Sequence, residues 1–382
     1  MLSLKYSSLQ ALYWSTVGVL MGYSVSFLQA HGFSNSEIGI ISSIGDILAL
    51  SSAIIVSAEI DKKKNILRKA GTAILLIQIS AVTILIVKPS HDLITALCAL
   101  LASSGCLIIN PLYIKLALDL NANGEKLSFG TSRGFGSIAF AVAAWLMGMA
   151  AERWNISLIP ICAFVLLILQ GLLFRSFPLS IPLSAVQPTD EVRGTSLAAL
   201  LRRKGVSVLL IGLAVVFAAN NSVNNYMINV VRGVGGSYAT LGSITFVLAL
   251  VEFPAMFFYS RTGSSKSKRF LVLALIFFPV KLLAIALASS VPGLYTAILL
   301  QSLSFGLYTP AIVDYINQSV PSKDSAKAQS LAAMMPSLGT IVITPLSGVL
   351  LDNRPVAHVL LFLSFFAATG TLVCLCGIKL SE

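Results

Sequence analysis

Apolar runs of about twenty residues recur along this chain, each parted from the next by a short polar break. They fall near 6–30, 37–59, 69–87, 92–119, 129–150 and 156–177, and again near 205–230, 238–260, 269–289, 293–319, 325–350 and 356–378. A run of this length matches the hydrocarbon thickness that a helix must cross. The pattern therefore predicts twelve transmembrane helices, and the fold class is an all-α polytopic membrane protein. The first run is long and has no small-residue cleavage site, so it is read as the first span rather than a removable signal. The one long polar stretch is PLSIPLSAVQPTDEVRGTSLAALLRRK (178–204), with three prolines and a short amphipathic end. It is expected to be a cytoplasmic linker carrying an interfacial helix. It separates an N-terminal six-helix half (1–177) from a C-terminal six-helix half (205–382).

Composition agrees with this class. Of 382 residues, 56% are hydrophobic and 11% charged, against about 25% charged in an ordinary soluble domain. The net charge of +11 raises nucleic acid as a partner, but its placement argues otherwise. With the N-terminus in the cytoplasm, nineteen of the 26 Lys and Arg fall on the cytoplasmic side and four outside; Lys115, Arg133 and Lys281 lie within spans. Basic residues mark the cytoplasmic side, so both termini are expected there, in a plasma membrane of bacterial inner-membrane type. The charge expresses topology and contact with anionic lipid. The loop after the second span, SAEIDKKKNILR, and the loop after the eighth, YSRTGSSKSKR, place a basic turn at the same point of each half. Asp61 and Lys62 open the first of these. Six plus six helices with matching loops is the layout of paired transporter halves.

Polar chemistry inside the spans narrows the function. Cys98, Cys106, Cys162, Cys374 and Cys376 all fall in predicted spans and are expected to be reduced; Cys374 and Cys376, two apart on a helix, diverge by roughly 200°. His31, His91 and His358 lie at helix ends without metal spacing. No nucleophile–base pair, metal cluster or phosphate loop appears, so neither an enzyme nor a resident cofactor is expected.

Ionisable groups within a bilayer are costly and mark function by default. Here they are Asp46 on the second span, Lys115 on the fourth, Arg133 on the fifth, Glu252 on the eighth, Lys281 on the ninth and Asp314 on the tenth. Lys281 is close to the midplane. Glu252, Lys281 and Asp314 are expected to form a carboxylate–lysine cluster that holds and relays a proton, the alternative being a buried pair that fixes helix register. Arg133 and Lys115 could lie at similar depth, where two cations repel unless Asp46, Asp119 or an anionic ligand neutralises them. The plainer alternative is a Lys115–Asp119 pair at i,i+4. NNSVNNYMIN (220–229) puts five asparagines on the seventh span; Asn221 and Asn225 are expected to line a cavity, or the run to permit a helix break. Gly130, Gly134 and Gly136 around Arg133 are expected to form a close-packing face.

These motifs carry a family resemblance. GFSNSEIG (32–39), FGTSRGFGSIAF (129–140), EFPAMFF (252–258) and VKLL (280–283), in this order and on these helices, resemble the major facilitator superfamily, in particular its branch containing lactose permease and the phenylpropionate permeases. The resemblance spans essentially the whole chain. It implies that Arg133 contacts substrate, that Glu252 occupies the place of a sugar-binding glutamate, and that Lys281 stands for an arginine of the proton-coupling set. There are departures. Lys115 replaces an acid and Phe140 replaces a tryptophan that stacks on sugar. Gln301 and Ser304 fall where that branch has a histidine and a glutamate, which leaves Asp314 as the acid of the tenth span.

The resemblance implies a proton-coupled symporter that imports a small organic solute by alternating access. A carboxylated or aromatic acid or a glycoside is favoured, with a neutral glycoside or nucleoside open. Expected substrate contacts are Arg133, Lys115, Phe140, Glu252, Asn221 and Asn225; expected proton-coupling groups are Glu252, Lys281, Asp314 and Asp46; Asp61, Lys62, Gly130, Gly134 and Gly136 serve conformational change. Expected partners are the solute, protons and membrane lipid, without nucleic acid, in a monomer that needs no cofactor beyond the proton gradient. The alternative is an exporter or antiporter of the same fold, against which the fifth span lacks proline.

Overall fold

The computed structural model describes residues 2–60, 66–122, 125, 127–177, 200–262 and 266–381. Helices occupy all twelve predicted positions. The first six are α1 (Leu2–Ala30), α2 (Asn35–Ile60), α3 (Ile66–Val87), α4 (Leu93–Ala122), α5 (Phe129–Arg153) and α6 (Leu158–Arg175). The seventh span is broken into α7 (Lys204–Asn225) and α8 (Met227–Gly233). It is followed by α9 (Tyr238–Thr262) and α10 (Ser267–Leu287). The tenth span begins as α11 (Val291–Ile298), passes through a 3-10 turn (Leu299–Gln301) and a π-turn (Ser302–Gly306), and continues as α12 (Leu307–Ser319). Finally come α13 (Ser322–Asn353) and α14 (Val356–Leu380). Among the described residues, eleven helical stretches are long and apolar enough to cross a membrane; α2 takes the remaining predicted position.

Local chemistry sets several boundaries. Gly32 adopts a left-handed φ of 91° and closes α1. Phe33 N donates to Leu28 O and Gly32 N to Gln29 O, each at 3.1 Å, the paired bonds of a Schellman ending. The next helix opens on a capping box in GFSNSEIG. Ser34 N donates to Glu37 Oε2 at 2.8 Å, while Glu37 N donates back to Ser34 Oγ at 3.3 Å, so two orphan amides are satisfied reciprocally. Ser128 caps α5 by accepting from Thr131 N at 3.4 Å. The irregular tenth span has a local cause as well. Pro310 has no N–H to give to Gly306 and its ring crowds that carbonyl, and the π-turn ends at Gly306.

The chain divides into two compact units, Met1–Gln187 with Leu241–Phe246, and Pro188–Thr240 with Val247–Glu382. The expected linker, 178–204, lies outside the described residues except for 200–204, as do Asp61 and Lys62. In the first unit, α1 packs on α5, α4 and α6, and α4 packs on α2 and α3. In the second, α14 packs along α7 and α10, and α13 packs on α7. Its core brings together Leu213, Phe217, Leu275, Phe278, Tyr308 and Ala311.

Close helix approach in a membrane depends on small residues, because lipid gives little hydrophobic drive for helices to associate. The α7–α14 contact shows this. A Cβ added at Gly212 would lie 2.6 Å from Cys374 N, and one at Gly377 would lie 2.8 Å from Leu209 Cα. Both obstacles are backbone and cannot swing aside. Gly212→Val should therefore force these helices apart and cost roughly 1–3 kcal/mol. We expect its melting temperature in detergent to fall by several degrees, whereas the same change at Gly22, which has no heavy atom within 4 Å of an added Cβ, should leave it near the parent value.

Candidate functional site

Two polar clusters are built between the helices, one in each unit. The second unit holds the buried lysine. Lys281 is 1% exposed and sits about two-thirds of the way along α10. Its Nζ donates to Asn220 Oδ1 on α7 at 2.6 Å and to Gln301 Oε1 in the 3-10 turn at 2.7 Å. It also lies 5.3 Å from the ring centroid of Phe278, one turn earlier on the same helix. Gln301 passes the connection on, since its Nε2 donates to Glu252 Oε1 on α9 at 2.8 Å. Asn220 Nδ2 donates to Asn221 Oδ1 at 3.3 Å. The donors thus run outward from Lys281 along two arms, one ending at the Glu252 carboxylate and the other at the Asn221 carbonyl. Three separate elements meet at one cation, and Gln301 joins α9 to them as a fourth.

The first unit holds the arginine. Arg133 is partly buried on α5 and its Cζ lies 3.6 Å from the centroid of the Trp14 ring on α1, a stacked cation–π contact. Its Nη1 donates to Ser137 Oγ one turn on, at 2.7 Å. Trp14 is fixed from behind: its Nε1 donates to Gln10 Oε1 at 3.2 Å and Gln10 Nε2 donates to the Tyr6 hydroxyl at 2.6 Å. Tyr6 in turn donates to the Tyr113 carbonyl of α4 at 3.0 Å. Residues 6, 10 and 14 follow helical spacing and line one face of α1. Phe140 meets Trp14 edge-on, with centroids 6.4 Å apart. The arrangement brings a guanidinium together with two aromatic rings.

The expected site residues fall as follows. Arg133 and Phe140 come together, with Trp14 between them. Lys115 is ion-paired to Asp119 at 3.2 Å, so one of the neutralising charges left open in the sequence is supplied by the same helix. Gly136 packs directly on Trp14: an added Cβ would collide with its Cδ1. Gly130 and Gly134 do not share that contact, since an added Cβ at either meets nothing within 4 Å; the expected three-glycine packing face reduces to Gly136. Asp46 lies partly buried in the middle of α2. Asn221 belongs to the lysine network, and Asn225 is the last residue of α7, at the break that the asparagine run permitted.

The expected Glu252–Lys281–Asp314 cluster holds only in part. Asp314 accepts from the Tyr259 hydroxyl at 2.8 Å and stands thirteen residues beyond Gln301, about 20 Å along a helix. It is not a member of the lysine network. Gln301 takes that position instead. Sequence reasoning named Gln301 only as a departure from the family pattern and did not single out Asn220 or Trp14. Asn220 was in view within its run, but only the helix register says which asparagine faces Lys281. For Trp14 the available signal was the i,i+4 spacing of a glutamine and a tryptophan inside an apolar span.

The model of the MFS_1 like family matches residues 3–363. The chain belongs to this family. Maltose permease of Geobacillus stearothermophilus is 26% identical over 292 residues, which is 75% of this chain and 72% of that protein. Among solved structures, a variant of the nucleoside transporter NupG superposes with a TM-score of 0.82 and 15% identity, over 99% of this chain and 100% of that one. An auto inhibited peptide transporter of the POT family gives 0.77 and 13% identity, over 98% and 96%. The protein is thus a membrane transporter of the MFS fold, and its relatives are transporters rather than enzymes.

In this MFS molecule, removal of the lysine should expose the tension in its network. Lys281→Ala leaves the buried Asn220 and Gln301 oxygens without their donor, and each loss costs roughly 1–3 kcal/mol. A thermal melt in detergent should show Lys281→Ala several degrees below the parent. Glu252→Gln, at a partly exposed carboxylate, should stay close to it.

Proposed function

We propose that the protein is a proton-coupled symporter that imports a small, neutral, hydroxylated solute by alternating access. The observation that carries this reading is the Lys281–Gln301–Glu252 network. A carboxylate and a buried ammonium, joined through one amide inside membrane-spanning helices, are costly to retain unless they work. Glu252 takes the proton. Lys281 supplies the positive charge that makes the ionised carboxylate tolerable between loadings. Asp314, held by Tyr259, lies outside this relay.

The solute side rests on the Arg133 cluster. The guanidinium face is covered by Trp14, so Arg133 makes its hydrogen bonds through its N–H edge, while Trp14 and Phe140 offer apolar ring surface. Such a surface suits a sugar or nucleoside ring, whose faces are apolar and whose rim is hydroxylated. The case for an anionic solute depended on two cations, and Asp119 offsets one of them. The names of the relatives, a maltose permease and a nucleoside transporter, support the neutral class. In this proposal the protein works as a monomer in the plasma membrane with both termini cytoplasmic, using the proton gradient and no other cofactor.

A thermal-shift panel of sugars, nucleosides and organic acids on the purified protein should show stabilisation by neutral solutes ahead of acids. The stabilising solute, with maltose and uridine as the first probes, is then carried into proteoliposomes. Uptake against a gradient should occur with acid outside and should alkalinise the medium. Arg133→Ala should lower it at least about tenfold, the equivalent of about 1.4 kcal/mol. Glu252→Gln should abolish accumulation while leaving solute exchange. Full proton-driven uptake by both variants would sink the assignment.

A further inference from the structure

Gln301 occupies an unusual place. It is the last residue of the 3-10 turn, directly before the π-turn Ser302–Gly306. Three windings therefore succeed one another within one span, and mid-helix 3-10 and π segments commonly accompany hinges and functional sites. Its side chain is 6% exposed and engaged at both ends, by Lys281 Nζ at 2.7 Å and Glu252 Oε1 at 2.8 Å. The amide cannot be turned end for end without loss, because the ammonium needs the oxygen and the ionised carboxylate needs the N–H₂ group.

A second contact joins the same two elements. Gly306, the last residue of the π-turn, sits on the Glu252 turn of α9. A Cβ there would lie 3.1 Å from Ala255 Cβ, 3.3 Å from Glu252 Cα and 3.4 Å from Glu252 O. The irregular segment thus packs on the backbone of the Glu252 turn of α9, and reaches the carboxylate itself through Gln301. Ser304 Oγ, donating to Leu300 O at 3.0 Å, takes up a carbonyl within the irregular winding.

We infer that Gln301 is a positioning residue that ties the charge on Glu252 to the winding of the tenth span. The inference rests on the proton-coupling reading above and adds the route by which the proton is felt. With Glu252 ionised, the Gln301–Glu252 bond is charge-assisted and pins the 3-10 and π turns against α9. When Glu252 is protonated the bond becomes an ordinary neutral one, about half as strong. The irregular turns, already short of regular helix bonds, then open more often. Gln301 itself neither gains nor loses a proton. Other titratable or charged groups on the elements around Glu252 in this unit are Lys268, Arg269 and Lys281 on α10, Tyr238, Tyr259 and Arg261 on α9, Tyr295 on α11, and Tyr308, Asp314 and Tyr315 on α12. Tyr308 is packed among Phe217, Phe278 and Phe305, and Asp314 is held by Tyr259.

Hydrogen–deuterium exchange on the full chain in lipid nanodiscs tests this without any solute. Peptides covering residues 299–310 are followed at about pH 5.5 and about pH 8.5, after correction for intrinsic exchange rates. In the parent protein, corrected exchange should be about fivefold faster at the acid pH, the equivalent of about 1 kcal/mol of lost pinning. Gln301→Leu should remove the pH response and leave the segment open at both values. Glu252→Gln should also remove it. Gln301→Met, closer in length, serves as the second variant if Gln301→Leu does not fold. A parent segment indifferent to pH overturns the inference. So does an undiminished response in Gln301→Leu or Gln301→Met, or a response surviving in Glu252→Gln, which would assign it to Lys281. Proton-driven uptake is measured separately. Uptake indifferent to the gradient removes the symport reading, whereas normal coupling with unchanged exchange in the Gln301 variants removes this inference alone.

Discussion

An ammonium held away from water among membrane-spanning helices sets the terms for the rest of the second unit. Lys281 is 1% exposed, and an uncompensated charge in that setting would cost several kcal/mol. The protein answers with amide oxygens instead of a direct carboxylate partner, Asn220 from α7 and Gln301 from the tenth span. Amide oxygens stabilise the ammonium without cancelling its charge. That charge remains available to Glu252, one amide further on. The same solution draws α7, α9, α10 and the irregular tenth span to one point. The four side chains that meet this stability requirement are also those to which the proposed function assigns the proton.

The first unit handles its cation differently. Arginine keeps its charge under all working conditions, so Arg133 suits recognition better than proton transfer. Its flat face lies on Trp14, which is seated by Gly136 and anchored through Gln10 and Tyr6 to α4. Geometry is fixed there and charge is fixed too. In the second unit the winding around the lysine network is irregular. On the proposed function this is a division of labour, with a rigid recognition cluster in one unit and a proton-responsive cluster beside a hinge-like segment in the other.

Much of the architecture was legible in the sequence, for reasons that are easy to name. Apolar runs of span length have no other stable solution in a bilayer than helices, so twelve positions could be read directly. GFSNSEIG, which enters the sequence reading only through its family resemblance, also carries a helix end at Gly32 and a helix start at Ser34 and Glu37, a signal that is local and therefore available in the sequence. The 3-10 and π turns were not legible, because they answer to Pro310 and Gly306 acting together with packing on α9. The two polar clusters were legible where charge announced them, at Arg133, Glu252 and Lys281. They were not legible where neutral residues carry the connection: the register of α7 decides for Asn220 over its neighbour, and long-range packing decides for Gln301 over Asp314. Lys115 shows the converse, a charge that drew attention and is paired on its own helix with Asp119.

The central claim is that Glu252 takes up a proton within the Lys281–Gln301 network. Infrared difference spectroscopy on the purified protein in lipid observes this directly, through the carbonyl band of a protonated carboxyl that appears on acidification. The account predicts a band that vanishes in Glu252→Gln and changes in position or onset in Lys281→Met. An identical set of carboxyl bands in the parent and in Glu252→Gln would contradict it.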